Sequence, residues 1–298
     1  MISILVPVYN YSIINLGKEL VKQGAELNVP YEVLFLDDAS VNHEITKSNQ
    51  LFCAKNNLTY IISEENLGRA KARNFLAQKA NYEWLVFMDS DVIPATSSYL
   101  KTFVSSIHCE SQVLSGTILY RRNLEQTIQK SLRWKYGVTY EETTLKKNSG
   151  NSNYLYLKTA NVMIRKSIFH SIPFPVLEGN YGYEDTMFGL TLEANTIKLE
   201  LIENPVYHEG IESNHIFLNK TEEAIKNLSS LIQHDEILCK KIRLAKVYFQ
   251  IKKVNGVKFV TYLFKKNRGL MKKNLLSENA DLKIFQLYKI GYLCYLLA

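Results

Sequence analysis

The chain has 298 residues, with 36 Lys and Arg against 29 Asp and Glu, 46% apolar and 22% charged. That composition excludes a disordered chain, a collagen-like repeat and a disulfide-built mini-protein, and the length allows one large domain or a domain with an appendage. The formal charge of +7 is unevenly spread: residues 1–211 carry 20 basic and 22 acidic side chains and residues 212–298 carry 16 and 7, so the second half suits an anionic surface.

The start, Met1-Ile2-Ser3-Ile4-Leu5, lacks the basic stretch and cleavage site of a signal peptide and is expected to enter a strand at once, Ile2–Val6, stopped by Pro7. Leu16 to Leu27 has helical spacing, Glu32–Leu36 is a second apolar run ending in Asp37-Asp38, and Leu58–Ile62 is a third. Arg69–Ala80 is again helical, and Trp84–Met88 is a fourth run ending in Asp89-Ser90-Asp91. The alternation predicts an α/β fold, a Rossmann-like and mainly parallel sheet covered by helices on both faces. Ligands of such sheets bind beyond the carboxyl ends of the strands. Those ends carry Pro7–Asn10, Asp37–Ser40 and Asp89–Asp91. Residues 96–145 are expected to be mostly helical apart from Val113–Tyr120, with Lys146–Asn153 a polar loop. Tyr154–Ile164 and Ile197–Ile202 are expected as further strands, Glu184–Ala194 as a helix, and everything from residue 218 onward as helical. No apolar run reaches the roughly 20 residues needed to span a bilayer. Cys53, Cys109, Cys239 and Cys294 show no C-x-x-C spacing and are expected as buried, reduced thiols.

Asp89 and Asp91 are two carboxylates two residues apart at a strand end, able to share a hard divalent cation or to hold a cation and a ribose hydroxyl. Their bland alternative is a solvated turn. Asp38, also at a strand end, can accept from a uracil imide or a ribose, or the segment can simply cap the next helix through Ser40. Asn66-Leu67-Gly68 opens a helix on which Arg69 and Arg73 share one face, suited to a diphosphate or to plain solvation. Glu178-Gly179-Asn180-Tyr181-Gly182-Tyr183 leads into Glu184-Asp185, a loop whose glycines admit a close ligand and whose tyrosines suit a sugar. A carboxylate at the top of a helix beside a bound sugar can act as general base, although acids also favour helix starts through the macrodipole. His208 follows a Pro205 turn; a neutral imidazole with an Asp suits Mn²⁺.

Ser3-Ile4-Leu5-Val6-Pro7-Val8-Tyr9-Asn10, Asp37–Ser40, Asn66-x-Gly68…Ala72-Arg73-Asn74 and Asp89-Ser90-Asp91 occur in an order and spacing that resemble glycosyltransferase family 2. Thr159–Ile168 with Tyr181–Asp185 resembles the galactosyltransferase-like C-terminal part of many such enzymes. The resemblance covers about residues 1–211 and implies the GT-A fold, with a nucleotide-binding half over 1–95, an acceptor-binding half over 96–211 and a basic helical extension over 212–298. It implies an inverting, metal-dependent transfer of one hexose or N-acetylhexosamine from a UDP-sugar to a saccharide or lipid-linked oligosaccharide hydroxyl, in surface polysaccharide synthesis. Pro7, Tyr9, Asp38, Asn66, Gly68, Arg73 and Asp89 would bind the donor, Asp91 and His208 would ligate Mn²⁺ or Mg²⁺, Tyr181, Gly182, Tyr183 and Glu184 would bind the acceptor, and Asp185 would be the base. Gln129…Arg133-Trp134 is similar to a motif of processive synthases but has an extra residue and precedes the Glu-Asp pair, so single addition is expected.

The alternatives are a non-catalytic nucleotide-sugar-binding partner, which would usually have lost Asp91 or Asp185, and a nucleotidyltransferase, which would need a glycine-rich phosphate loop where Pro7–Asn10 stands. In the tail, 12 Lys or Arg and no acid lie between Glu236 and Glu278, interleaved with Tyr248, Phe249, Phe259, Tyr262 and Phe264. Basic and aromatic helices over 240–298 fit the headgroups of an anionic membrane, implying a cytoplasmic enzyme on the inner face of the plasma membrane. A packed helical cap with a solvated basic rim is the alternative, and nucleic acid is not expected as a partner.

Overall fold

The computed structural model describes residues 1–142, 153–177 and 181–298. In chain order the elements are β1 (Ile2–Val8), α1 (Ile14–Ala25), β2 (Tyr31–Asp37), α2 (His43–Lys55), β3 (Thr59–Ile62), α3 (Arg69–Lys79), β4 (Trp84–Met88), β5 (Val92–Pro94), α4 (Tyr99–Ser105) and β6 (Val113–Leu119). They continue with α5 (Gln126–Lys130), α6 (Leu132–Tyr136), β7 (Asn161–Arg165), α7 (Lys166–Ser171), α8 (Glu184–Ala194), β8 (Leu199–His208), α9 (Asn214–His234), α10 (Glu236–Cys239), α11 (Arg243–Lys253), α12 (Val257–Leu275) and α13 (Leu282–Leu296).

The chain forms two units, one of residues 1–121, 142–176 and 185–210, the other of 122–141, 177–184 and 211–298. The charge step near residue 211 therefore falls at a unit boundary, but two short segments from earlier in the chain join the basic helices.

The first unit is built on one eight-stranded sheet, ordered β3-β2-β1-β4-β7-β6-β8-β5. β3, β2, β1 and β4 run parallel, as expected from continuous apolar runs buried on both faces. The other half is mixed: β7 is antiparallel to β4 and β6, β6 is parallel to β8, and β5 is antiparallel to β8. Pro7 pairs with Leu36 of β2 but lies beyond the β4 pairing, which ends at Leu5, so its missing N–H costs no ladder bond on that side. The core under β1 and β4 gathers Leu5, Ala72, Leu76, Leu85 and Phe87 with Phe169, Phe174 and Phe188. The Phe87 and Phe169 rings lie 4.9 Å apart and those of Phe174 and Phe188 4.3 Å apart, in the tilted geometries aromatic quadrupoles favour. Where the β6–β8 register slips between Ser115 and Thr117, buried Asn161 donates to Thr117 O (2.9 Å) and Asn204 O (2.8 Å) and accepts from the Tyr99 hydroxyl (2.9 Å). One amide thus satisfies the carbonyls that the irregular ladder leaves unpaired.

Several local expectations change. The strand expected over Tyr154–Ile164 is a 3₁₀ turn over Asn153–Tyr156 and a strand only from Asn161. β5 was not expected, being three residues long. Cys109 is exposed, whereas Cys53, Cys239 and Cys294 are buried, and all four are free. Most of the Lys146–Asn153 loop lies outside the described residues.

The second unit is helical with its own aromatic core. Tyr136 packs against Phe217 (5.5 Å) and Phe285 (5.5 Å), and Phe264 against Tyr288 (5.3 Å). Partly buried Glu222 on α9 accepts from the Tyr288 hydroxyl of α13 and from Lys272 of α12 (2.8 Å), with Arg268 at 3.6 Å. Burial opposes ionisation of Glu222, but Lys272, Tyr288 and Arg268 together hold its carboxyl below the usual range. Arg133, buried on α6, pairs with Glu141 (2.8 Å) and lies over Phe217, while Gln129 donates to the Arg122 and Leu124 carbonyls. These residues of the look-alike motif act within the helical unit. Among the described residues no helix is long and apolar enough to cross a membrane.

Candidate active site

The carboxyl ends of β1, β2 and β4 lie side by side because these strands are parallel neighbours. Their following loops are tied together by hydrogen bonds. Asp38 N donates to Val8 O (2.8 Å), Asn10 N donates to Ser40 Oγ (2.8 Å), and Asn10 Oδ1 accepts from Val41 N (3.0 Å) and Asn42 N (3.1 Å). Asn10 (φ 51°) and Ala39 (φ 57°) sit in the left-handed region, a strained conformation for Ala of the kind that collects at binding loops. Asn42, not Ser40, caps α2.

The two acids at 37 and 38 have different fates. Asp37 is fully buried and accepts from Ser40 N (2.8 Å), the Thr46 hydroxyl (2.9 Å) and the Tyr60 hydroxyl (2.7 Å). Burial alone would raise its pKa, but these donors outweigh it and hold the carboxyl below its ordinary value. A depressed folded-state value contributes stability above the unfolded pKa, about 3.9, which is lost as pH falls through the folded value. Asp37→Asn is therefore expected to cost roughly 1.5–3 kcal/mol at neutral pH, with the difference from wild type shrinking in acid. Urea melts at neutral and acid pH check this, and an unchanged difference would count against it.

Asp38 accepts from Leu67 N (2.6 Å) and Gly68 N (2.9 Å), while the Asn66 amide donates to Asp38 O (2.9 Å). Burial outweighs these bonds and raises its pKa. Asn66, Gly68 and Asp38 thus form one turn that joins β2 to the start of α3. Gly68 holds φ 78°, where a side chain would be strained although space is open around it. Tyr9, just past β1, is half exposed and Pro7 is partly buried.

Arg73 is buried rather than presented to a ligand. Its Nη2 donates to Asp89 Oδ1 at 2.5 Å, its guanidinium lies 5.4 Å from the Phe174 ring centre, and Nε and Nη1 are buried without a hydrogen-bond partner among the described residues. Burial opposes ionisation of Asp89, but Arg73, Arg69 and His208 keep its carboxyl low. The helical face suits Arg73 to a diphosphate and the resemblance implies donor binding; in the structure its ion pair is with Asp89, which it positions.

Asp91 and His208 come from distant parts of the chain. The β5–β8 register sets Val92 opposite His208, and Glu209 N donates to Asp91 O (2.8 Å). This leaves His208 Nε2 3.8 Å from Asp91 Oδ2, with the imidazole stacked on Tyr120 (5.6 Å, 15°). Asp91 Oδ1 is buried and lacks a hydrogen-bond partner among the described residues. Gly210 leaves the space that Asp91 uses, since a Cβ there would lie 2.2 Å from Oδ2. Tyr11, just past β1, has its pKa pushed up to about 12 by burial, Asp91 and Glu209. A partly buried carboxylate beside an imidazole fits one side of a divalent-ion site. Among the described residues no cluster of three His, Cys, Asp or Glu completes one.

Asp185 stands in the first turn of α8, where the helix dipole favours a carboxylate. It accepts from Thr159 Oγ1 (2.6 Å) and Thr159 N (3.4 Å). Thr159 lies just before β7, whose Asn161 pairs with Met88, so Asp185 reaches the same end of the sheet as Asp89. Tyr181, Gly182, Tyr183 and Glu184 belong to the helical unit. There Tyr181 O accepts from Asn227 (2.8 Å), Lys220 lies over the Tyr181 ring (5.4 Å), and Gly182 packs against Ala224 of α9. Burial raises the Tyr183 pKa, and the residue holds φ 70°. Glu178, Gly179 and Asn180 lie outside the described residues.

Sequence reasoning did not single out Tyr11, Tyr120 or Gly210, and it quoted Thr159 without a role. Only Thr159 had a signal, its place in the Thr-Ala-Asn segment.

The sequence pattern of the family described as Glycosyl transferase family 2 matches residues 3–172. A curated relative, Glycosyltransferase AglE of Haloferax volcanii, is 28% identical over 182 residues, 58% of this chain and 56% of AglE. The chain spans about half the length of the curated relatives it matches. Among solved structures, the mannosyltransferase PcManGT from Pyrobaculum calidifontis, in complex with GDP-Man and Mn²⁺, aligns with TM-score 0.60 and 12% identity over 99% of this chain and 86% of that one. S. aureus TarS 1-349 in complex with UDP-GlcNAc aligns with TM-score 0.53 and 18% identity over 97% and 90%. At these identities the structural likeness speaks for the fold, which is that of GT-A glycosyltransferases.

Proposed function

The chain belongs to glycosyl transferase family 2, and from that premise we propose that it transfers a single hexose or N-acetylhexosamine from a UDP-sugar to a saccharide hydroxyl, with inversion. The observation that carries this reading is the grouping, at one end of one sheet, of Asp38, the Arg73–Asp89 pair, Asp91 beside His208, and Asp185. Solved relatives of the same fold hold nucleotide-sugars, one of them with Mn²⁺.

In this reading Tyr9 and Pro7 lie against the nucleoside and Asp38, held by two backbone N–H groups, takes the uracil. Asp89, held by Arg73, faces the ribose. Asp91 and His208 would hold Mn²⁺ or Mg²⁺, which when bound supplies positive charge to the diphosphate leaving group. Asp185, oriented by Thr159, takes the proton of the acceptor hydroxyl as that oxygen attacks the anomeric carbon from the face opposite the diphosphate. Alignment of the two reactants can by itself supply roughly 7–11 kcal/mol of the barrier reduction. Tyr181, Gly182, Tyr183 and Glu184 would contact the acceptor sugar, which we place on a lipid carrier in surface polysaccharide synthesis, with the enzyme at the cytoplasmic face of the plasma membrane.

A thermal-shift and donor-hydrolysis screen tests the reading. At least one UDP-sugar is expected to raise the melting temperature and to be hydrolysed slowly, both more strongly with Mn²⁺. A chain stabilised by no nucleotide-sugar under either condition would overturn it.

A further inference from the structure

The helical unit turns an apolar stripe to solvent that its own core does not use. α12 buries Thr261, Phe264 and Leu275, with Phe264 packed on Tyr288 and Tyr292 of α13. On its other face Phe259, Tyr262, Leu263 and Leu270 follow one another at spacings of three, four and eleven from the first, which places them on a single stripe. Phe259 is 65% exposed, Tyr262 61% and Leu270 71%, and Val254 in the turn between α11 and α12 is 75% exposed.

Lysines stand within and beside this stripe: Lys266 and Lys273 follow Phe259 by seven and fourteen residues, on its own line, and Lys258 lies to one side. The inward-facing cations of α12, Arg268 and Lys272, are both paired with Glu222. The outward ones Lys258, Lys266 and Lys273, and Lys253 at the end of α11, have no carboxylate within ion-pairing distance among the described residues. An apolar stripe with a tyrosine, interleaved with lysines unpaired among the described residues whose long stems can carry the amines outward, matches a surface that is anionic outside and hydrocarbon beneath. A nucleic acid would satisfy the amines and leave Phe259, Leu263 and Leu270 wet. A bilayer takes both, with the apolar groups below the headgroups and the amines at the phosphates.

We propose that the outer face of α12, with the preceding turn, docks this protein on an anionic lipid bilayer. The inference rests on the peripheral-association part of the proposed function and on none of its catalytic assignments. The test is flotation of the full chain with phosphatidylglycerol-containing vesicles, against pure phosphatidylcholine, at low and high salt. Wild type is expected to float only with the anionic vesicles and to be released by salt. The charge-neutral triple variant Phe259→Ser, Tyr262→Ser, Leu263→Ser is expected to bind at least about tenfold more weakly, and Lys258→Gln or Lys266→Gln about fivefold each. All these side chains are exposed, so circular dichroism should be unchanged. UDP-induced thermal shift on the same samples reports separately on the donor site. Failure of wild type to float at low salt, or undiminished flotation of the triple variant, would overturn the proposal. So would a dimer in light scattering that the triple variant dissolves, which would assign the face to a second copy, or tight RNA binding with no flotation.

Discussion

Asp185→Asn is expected to bind UDP-sugar with wild-type affinity and to transfer sugar about 10²–10⁴ times more slowly, the range by which a positioned general base accelerates proton transfer. Asn is isosteric and retains one acceptor for Thr159 Oγ1, which is 2.6 Å away, so the turn before β7 should keep its shape. The amide cannot accept the acceptor proton, so the loss falls on kcat. Thr159→Val separates orientation from basicity. It removes the hydroxyl donor and leaves the carboxylate, so transfer should fall less than in Asp185→Asn, with donor affinity unchanged. Near-normal turnover by Asp185→Asn, measured with a soluble acceptor, would refute the base assignment. A lost donor affinity would instead place Asp185 in donor binding.

Asp91→Asn is expected to leave UDP binding insensitive to Mn²⁺ and to lower transfer by roughly 10²–10⁴-fold, several kcal/mol of leaving-group stabilisation at about 1.4 kcal/mol per factor of ten. The reason is the surroundings of its carboxylate: Oδ1 is buried and has no hydrogen-bond partner among the described residues, and Oδ2 sits 3.8 Å from His208 Nε2. An anionic oxygen with no donor is costly to bury unless a cation completes it. The substitution removes that cost, so Asp91→Asn should also melt at the same temperature as wild type or higher when chelator is present. His208→Ala should show the same loss of Mn²⁺ response in smaller measure, because the carboxylate remains. Calorimetry of UDP with and without Mn²⁺ reads both. An Asp91→Asn protein whose UDP affinity still rises with Mn²⁺ would sink the assignment.

Much of the fold is legible in the sequence because its signals are local. Four apolar runs each end in polar or acidic residues, helical spacing fills the gaps, and parallel packing buries such runs on both faces, as β1, β2 and β4 are. The expected strand over Tyr154–Ile164 failed for a non-local reason. Thr159 turns aside to hold Asp185, and the Tyr154 hydroxyl donates to Ile197 O (2.7 Å), so the segment serves contacts across the unit before it can join the sheet at Asn161. β5 was invisible because three residues carry no periodicity; it exists through its pairing with β8.

The candidate site divides along the same line. By itself the sequence determined which residue types stand at the strand ends, because Asp38, Asp89 and Asp91 follow directly from where apolar runs stop. Only the tertiary structure decided what each does there. Asp37 and Asp38 are neighbours in sequence, yet one is enclosed by Thr46 and Tyr60 and the other is oriented by the backbone N–H groups of Leu67 and Gly68. Arg73 shares a helical face with Arg69, but one turn on, that face is buried with Ala72, Leu76 and Ala77 and carries Arg73 to Asp89, while Arg69 stays exposed. His208 reaches Asp91 through the register of two antiparallel strands more than a hundred residues apart in sequence. Spacing reports what a short stretch can present. Which of those groups remain free for a ligand depends on the neighbours that folding brings from elsewhere, and those partners are chosen by burial and pairing across the whole sheet.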